Sequence, residues 1–353
     1  MKSICFFNNK GGVGKTTLLS NVSSYLATEF SLRVLVVDAD PQCNATQLIL
    51  GEDRVQALYK LPDARKPSSP RSRTTLFDVL RPITIGESAI STPPPLIKGR
   101  DNRFGVDLLP GHPQLALLED RLSQAWLQLS GGDVGGARQS NWNTQLCGAL
   151  DKSYDMAFFD VGPSLGALNR SVLLGTDFFV TPMGCDVFSL LGVTNIAQWL
   201  TSWFAHYERS IEACRRAGFA AELKEFEVRE SISDIARFIG YTVQQYITKS
   251  KEGRRRPTAS YEAIKKKIPP TVQQHLGSFV AAHIKAQDLE LPDVPHMYSL
   301  VPLAQSVSCP IHGLSSRDGL SGATPQQKDI YTDFIRKLAE AVLRNADVKV
   351  PTT

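Results

Sequence analysis

Asn9-Lys10-Gly11-Gly12-Val13-Gly14-Lys15-Thr16-Thr17 lies between an apolar run of strand length, residues 3–8, and a helical pattern over 16–30. Backbone N–H groups must come close to bind a phosphate chain, and glycines remove the side chains that would block the approach. The helix beginning near Thr16 adds the positive end of its dipole. In such a turn Lys15 reaches the β- and γ-phosphates, and the Thr16 hydroxyl ligates Mg²⁺. The stretch thus predicts a triphosphate cradle at a strand–helix junction. It departs from the pattern G-x-x-x-x-G-K-[ST] in one place, because Asn9 stands where the first glycine belongs, and a second lysine, Lys10, lies beside the loop.

Outward from this turn, Arg33-Val34-Leu35-Val36-Val37-Asp38 completes a strand–helix–strand unit, which implies parallel pairing and a right-handed crossover. Further strands are expected at 105–110, 155–160, 177–181, 238–246 and 297–301. Helices are expected at 112–129, 143–152, 165–175, 188–207, 271–287 and 326–343, the last with Ile330, Phe334, Leu338 and Val342 on one face. The four glycines of 131–140 read as a loop, and the proline- and serine-rich stretches 52–74 and 91–103 as surface insertions. The predicted fold class is α/β, a mainly parallel twisted sheet with helices on both faces. It is a single domain over 1–353, with an insertion at 52–104 and a variable basic region at 208–296.

The run from Lys10 to Thr17 resembles the deviant Walker A motif of the ParA/MinD family of dimerising P-loop ATPases. Val37-Asp38-Ala39-Asp40-Pro41-Gln42-Cys43-Asn44-Ala45-Thr46 is similar to that family's Walker A′ segment, with Cys43 where glycine is common. Residues 154–166, centred on Phe159-Asp160-Val161-Gly162-Pro163, resemble its Walker B and switch segment, with Gly162 where proline is common; 182–191 and 299–305 also have counterparts. The resemblance implies ATP and Mg²⁺ as ligands. The nucleotide is held by Lys10, Gly11, Gly12, Val13, Gly14, Lys15, Thr16, Thr17 and Pro302, and the metal site involves Thr16, Asp38 as a more distant partner, and Asp160. It further implies Lys10, Lys15 and Asp40 as catalytic residues: Lys10 reaches the partner's phosphates across a sandwich homodimer, and Asp40 positions the attacking water. The family's partners would be nonspecific DNA and a ParB-like protein that stimulates hydrolysis, in plasmid or chromosome partitioning.

Charge places the DNA contact. Eight basic and two acidic residues fall between Lys249 and Lys267, a net +6 in a chain whose total is +4. Arg254, Arg255, Arg256, Lys265, Lys266 and Lys267 are therefore the candidate phosphate contacts. Only eight residues precede Asn9, which leaves no room there for a helix-turn-helix. The six cysteines form no C-x-x-C pair, so a cluster-carrying ATPase on the same fold is disfavoured, and the thiols read as reduced. His112, His206 and His312 have no metal-ligand spacing. The charge-free stretch 187–205 contains several polar residues, and its apolar residues Leu190, Val193, Ala197, Leu200 and Phe204 recur at helical spacing, so it reads as a half-buried helix and a membrane anchor is not expected. A cytoplasmic, nucleoid-associated protein is the expectation. The rival readings are an ATPase positioning another cargo or the division machinery, and a metabolic ATPase.

Overall fold

Alternate residues of the first strand, β1 (Lys2–Phe6), enter different cores: Ile4 and Phe6 on one face, Cys5 and the following Phe7 on the other. The same two-residue period recurs in β2 (Val34–Asp38), where Val34 and Val36 oppose Leu35 and Val37. It recurs again in β4 (Met156–Asp160), where Met156 and Phe158 oppose Ala157 and Phe159. A strand buried on both faces is expected to be apolar throughout, which explains why these runs show no polar alternation. With β3 (Asp107–Leu109), β5 (Phe178–Met183) and β6 (Arg237–Val243) they form one sheet of order β3-β2-β4-β1-β5-β6. Every pairing in it is parallel.

The computed structural model describes residues 1–59, 74–91, 95–244, 249–251, 254–256, 259–297, 299–322 and 324–350, and of 249–251, 254–256 and 259–260 the backbone alone. Its helices are α1 (Lys15–Glu29), α2 (Asn44–Leu50), α3 (Glu52–Tyr59), α4 (Leu76–Thr84), α5 (Leu118–Ser130), α6 (Val134–Ser140), α7 (Trp142–Leu150), α8 (Ala167–Gly175), α9 (Val187–Arg216), α10 (Ala220–Glu225), α11 (Ala259–Lys265), α12 (Ile268–Leu276), α13 (Leu300–Ser306) and α14 (Thr324–Asn345). Apolar residues of α1, α2, α13 and α14 fill the core on the Ile4 face. Those of α4, α5, α7, α8, α9 and α12 fill the core on the Cys5 face. The α/β class with helices on both faces is what the sequence predicts.

Several local expectations change. Among the described residues of 297–301, which leave out 298, there is no strand; Leu300 begins α13. Part of the glycine-rich 131–140 is helical, because the Asp133 carboxylate accepts from Gly136 N at 2.6 Å and starts α6. The helix expected over 271–287 is the shorter α12, which starts at Ile268 with prolines in its first turn, where a missing N–H does no harm. Between the two stretches read as surface insertions, α4 is a core element. Thr75 and Asp78 form a capping box, and Leu76, Phe77, Val79, Leu80 and Ile83 are buried. On α14, Phe334, Leu338 and Val342 are buried as expected, whereas Ile330 is 61% exposed and Tyr331 points inward instead.

The topology fixes where a ligand can bind. β1 and β4 are neighbours, yet the helix after β1 packs on one face of the sheet and the helix after β4 on the other. A crevice opens between their carboxyl ends, the place where open α/β sheets bind ligands.

Candidate functional site

The loop 7–14 fills that crevice. Gly12 and Gly14 have φ of 73° and 76°, the left-handed region that glycine adopts without strain, and Gly14 caps α1. A side chain built on Gly11 or Gly12 would meet nothing within 4 Å, so both backbones face open space that a ligand can enter. The cavity there, about 490 Å³, is lined by Gly11, Gly12, Gly14, Lys15, Thr16, Thr17 and Asp40 from the predicted set. Val13 is buried beneath the loop.

Three carboxylates converge behind the loop. Asp160, the last residue of β4, accepts from Thr16 Oγ1 at 2.8 Å through Oδ2, while its buried Oδ1 has no partner. Burial raises its pKa well above the usual carboxylate range; the Asp38 charge adds to this and the Thr16 hydroxyl opposes it. Asp38, at the end of β2, accepts from Thr46 N at 2.7 Å, Thr46 Oγ1 at 2.6 Å and Asp40 N at 3.2 Å. Burial lifts its pKa to about 7 against the pull of the Thr46 donors. Asp40 Oδ1 accepts from Gln42 N at 3.0 Å. Lys15, itself buried, has a lowered pKa because burial outweighs the charges of Asp160 and Asp40.

An uncompensated buried carboxylate oxygen beside a hydroxyl is the donor chemistry that suits a hard divalent cation. Among the described residues no set of three His, Cys, Asp or Glu side chains is gathered as a cage. The Asp38 carboxylate is already engaged by Thr46 and by Asp40 N.

The two lysines of the loop point to different places. Lys15 Nζ turns back onto Lys10 O at 3.3 Å, inside the cavity wall. Lys10 Nζ leaves the cavity and pairs with Asp186, whose other oxygen caps α9 by accepting from Ser189 N at 2.9 Å. Burial raises the Asp186 pKa, but the Lys10 and Ser189 contacts outweigh it and hold the carboxyl below its ordinary range. The exposed apolar residues Val187, Phe188 and Leu191 follow immediately, at 56%, 72% and 54% exposure.

Pro302 does not line the cavity. It is exposed on α13, and Gln305, one turn further, lines it instead. Sequence reasoning also missed Gln47, Leu48, Val161 and Pro163 in the cavity wall, and Gln244, whose Nε2 sits 2.7 Å from where a Cβ on Gly14 would be. Two further residues hold the loop after β4. Asn169 Nδ2 donates to Gly162 O and Ser164 O, both at 2.7 Å. Glu119 of α5 accepts from Ala167 N and, at 3.0 Å, from Leu168 N, the open end of α8. Of the basic candidates, Lys265 is paired with Asp293, whereas Lys266 and Lys267 are exposed. The side chains of Arg254, Arg255 and Arg256 lie outside the described set.

Comparison with known proteins places the chain among relatives. A family model described as an AAA domain matches residues 1–213. The chromosome partitioning protein ParA of Caulobacter vibrioides is 30% identical over 199 residues, 56% of this chain and 61% of that protein, so the chain spans about three fifths of the relative's length. The chromosome-partitioning ATPase Soj of Thermus thermophilus is 26% identical over 296 residues, covering 84% of this chain and 85% of its own. The crystal structure of protein DIP2308 from Corynebacterium diphtheriae aligns over 98% of both chains at 32% identity, with a TM-score of 0.74.

Proposed function

This chain belongs to the AAA domain family and is ParA/MinD-like, and from that premise we propose that it is a Mg²⁺-dependent ATPase switch that dimerises around ATP. In its closed form it binds DNA without sequence preference, and it acts in plasmid or chromosome partitioning with a ParB-like partner that stimulates hydrolysis. The observation that carries this reading is the divergence of the two loop lysines: Lys15 stays within the cavity wall and Lys10 is held outside it by Asp186.

In this reading the backbone of 11–17 holds the phosphate chain and Lys15 neutralises its terminal charge. Thr16 and Asp160 hold Mg²⁺, which when bound draws charge from the phosphate oxygens. Asp38 fixes the loop that carries Asp40, and Asp40 orients a water in line with the terminal phosphorus. Attack of that water breaks the bond to the bridging oxygen and gives ADP and phosphate. There is little covalent work in this reaction, so positioning and charge supply the rate. Lys10, exchanging Asp186 for a partner's phosphates, makes turnover conditional on pairing. The apolar turn Val187, Phe188 and Leu191 beside Asp186 supports a seam at this edge of the cavity.

A switch needs different DNA affinities in its two nucleotide states, because equal affinity moves no equilibrium. The test is a mobility shift on duplex DNA without nucleotide and with ADP, ATP or a slowly hydrolysed analogue, paired with phosphate release. A shift that requires ATP or the analogue, with release above background, supports the reading. Equal shifts in all four conditions, or no release, refute it.

A further inference from the structure

We propose that Glu119 of α5 is a positioning residue for hydrolysis: by holding the open end of α8 it sets the wall formed by residues 161–166 against Asp40, and so governs turnover without touching the nucleotide. The role rests on the ATPase reading above and adds to it a residue that is not among those lining the cavity.

The first amides of a helix have no partner within it and carry the positive end of its dipole. α8 begins after Gly166, which has no side chain to cap it. Both oxygens of one carboxylate, delivered from 48 residues earlier in the chain, meet two of these amides in succession: Oε1 accepts from Ala167 N, and Oε2 from Leu168 N at 3.0 Å. A Cβ on Gly166 would collide with Glu119 Oε1, so glycine at this position leaves room for the carboxylate. A serine or aspartate at 166 would cap the helix locally and travel with it. A carboxylate from α5 also fixes where the helix stands. The two helices meet again one turn further on, where the Arg170 guanidinium lies 4.0 Å over the Trp126 ring of α5. Burial pushes the Arg170 pKa down to about 10 against the pull of the Glu119 charge.

What α8 carries, the cavity feels. Asn169, in the same first turn, donates to Gly162 O and Ser164 O, so the wall is bonded to the helix that follows it. Val161 and Pro163 of this wall line the cavity, and a Cβ on Gly162 would stand 3.1 Å from Asp40 Oδ1. A shift of α8 is therefore passed through Gly162 to the carboxylate that orients the attacking water. The opposite wall reaches the same segment of chain. Gly111 N donates to Thr46 Oγ1 at 2.9 Å, and that hydroxyl donates to Asp38 at 2.6 Å. Between Gly111 and Glu119, Leu115 and Leu118 are fully buried, so residues 111–119 form a brace seated in the core and bonded to the segments after both β2 and β4. Misplacing a reacting group by about 1 Å is enough to cost about a hundredfold in rate. The phosphate-binding loop hangs from β1 and keeps its own contacts, so binding should survive where turnover does not.

The test follows phosphate release by the full chain against the concentration of ATP with Mg²⁺, and measures affinity for the slowly hydrolysed analogue by calorimetry. Glu119→Ala should lower kcat by about tenfold or more while KM and analogue affinity stay within about threefold. Glu119→Gln keeps one acceptor oxygen and turns an NH₂ group toward the second amide, so its kcat should fall between the two. Hydrogen exchange should show the Ala167 and Leu168 amides losing protection in Glu119→Ala. Leu122→Ala, which truncates a buried apolar side chain of the same helix, controls for stability alone: it should lower the urea midpoint and leave kcat unchanged. The role is overturned by wild-type kcat in Glu119→Ala, or in Glu119→Gln should the alanine variant not fold. It is overturned equally by a matching fall of kcat in Leu122→Ala, or by a loss of analogue affinity as large as the loss of turnover. No phosphate release by the wild type would instead remove the ATPase reading itself.

Discussion

The nucleotide cavity and the antiparallel strand pair of Lys249–Lys251 with Arg254–Arg256 both bring like charges together, and they do so in different ways. At the cavity three aspartates stand at or just beyond the ends of adjacent strands, each facing a donor that the fold supplies: Thr46 for Asp38, Gln42 N for Asp40 and Thr16 for Asp160. Burial, with the neighbouring carboxylates adding to it, raises the carboxyl pKa values of Asp38 and Asp160. In the strand pair, the backbone register sets Lys249 opposite Arg256 and Lys251 opposite Arg254. Like charges in the sheet-built site are thus held in place by contacts from distant parts of the chain, whereas in the locally built strand pair they are adjacent in sequence and in register.

The largest expected effect breaks the cavity side of this contrast. Lys15→Ala removes the cation that acts on Asp160 and Asp40, and nucleotide affinity measured by calorimetry should fall by roughly a hundredfold or more. Retained affinity would mean that the carboxylates do not need this charge. Lys10→Ala should separate binding from pairing. Affinity should stay within a few-fold, while the nucleotide-dependent dimer seen by light scattering and the phosphate release should both vanish. A dimer that forms without Lys10 would refute its role across the seam.

Asn169→Ala sharpens the claim that distant side chains hold the cavity. Two carbonyls, Gly162 O and Ser164 O, lose their donor, so urea unfolding should show a loss of about 1–3 kcal/mol. Turnover should fall more than nucleotide affinity does, because Gly162 packs against Asp40.

The last effect, confined to acid pH, is a control outside both regions. His312 packs edge-on against Tyr25, and burial, helped by the Lys328 charge, pushes its pKa down to about 4. A pKa below the ordinary value of about 6.5 means that the unfolded chain binds the extra proton. Its contribution is fully present above about pH 6.5 and is lost as pH falls toward 4, by at most about 3 kcal/mol. His312→Phe should flatten that limb of a pH–stability profile; an unchanged limb would assign the acid loss elsewhere.

The cradle, the two aspartate segments and all six strands of the sheet were legible because each is local: a short apolar run, a glycine turn, a charged residue at a strand end. Helix α6 was hidden because glycine has two uses. A Cβ on Gly136 would sit 2.5 Å from Ala125 O, so this glycine serves close contact with α5 and not a turn. The apolar run 297–301 resembles a strand by composition, but α13 begins at its end, and the helical turn carries Gln305 and not Pro302 to the cavity. Glu119, Asn169 and Gln244 carry no local signal. Their positions are set by which strands and helices meet, and a single chain read in order does not display that.

The position of β1 in the sheet has one more consequence. It is bonded along both edges, by β4 and β5, and covered on both faces, so its amides should be among the slowest in the molecule to exchange with solvent. The phosphate-binding turn hangs directly from this strand. A visitor therefore meets a fixed floor, and whatever breathing admits or releases it belongs to the walls, the segments after β2 and β4, whose anchors are single side chains.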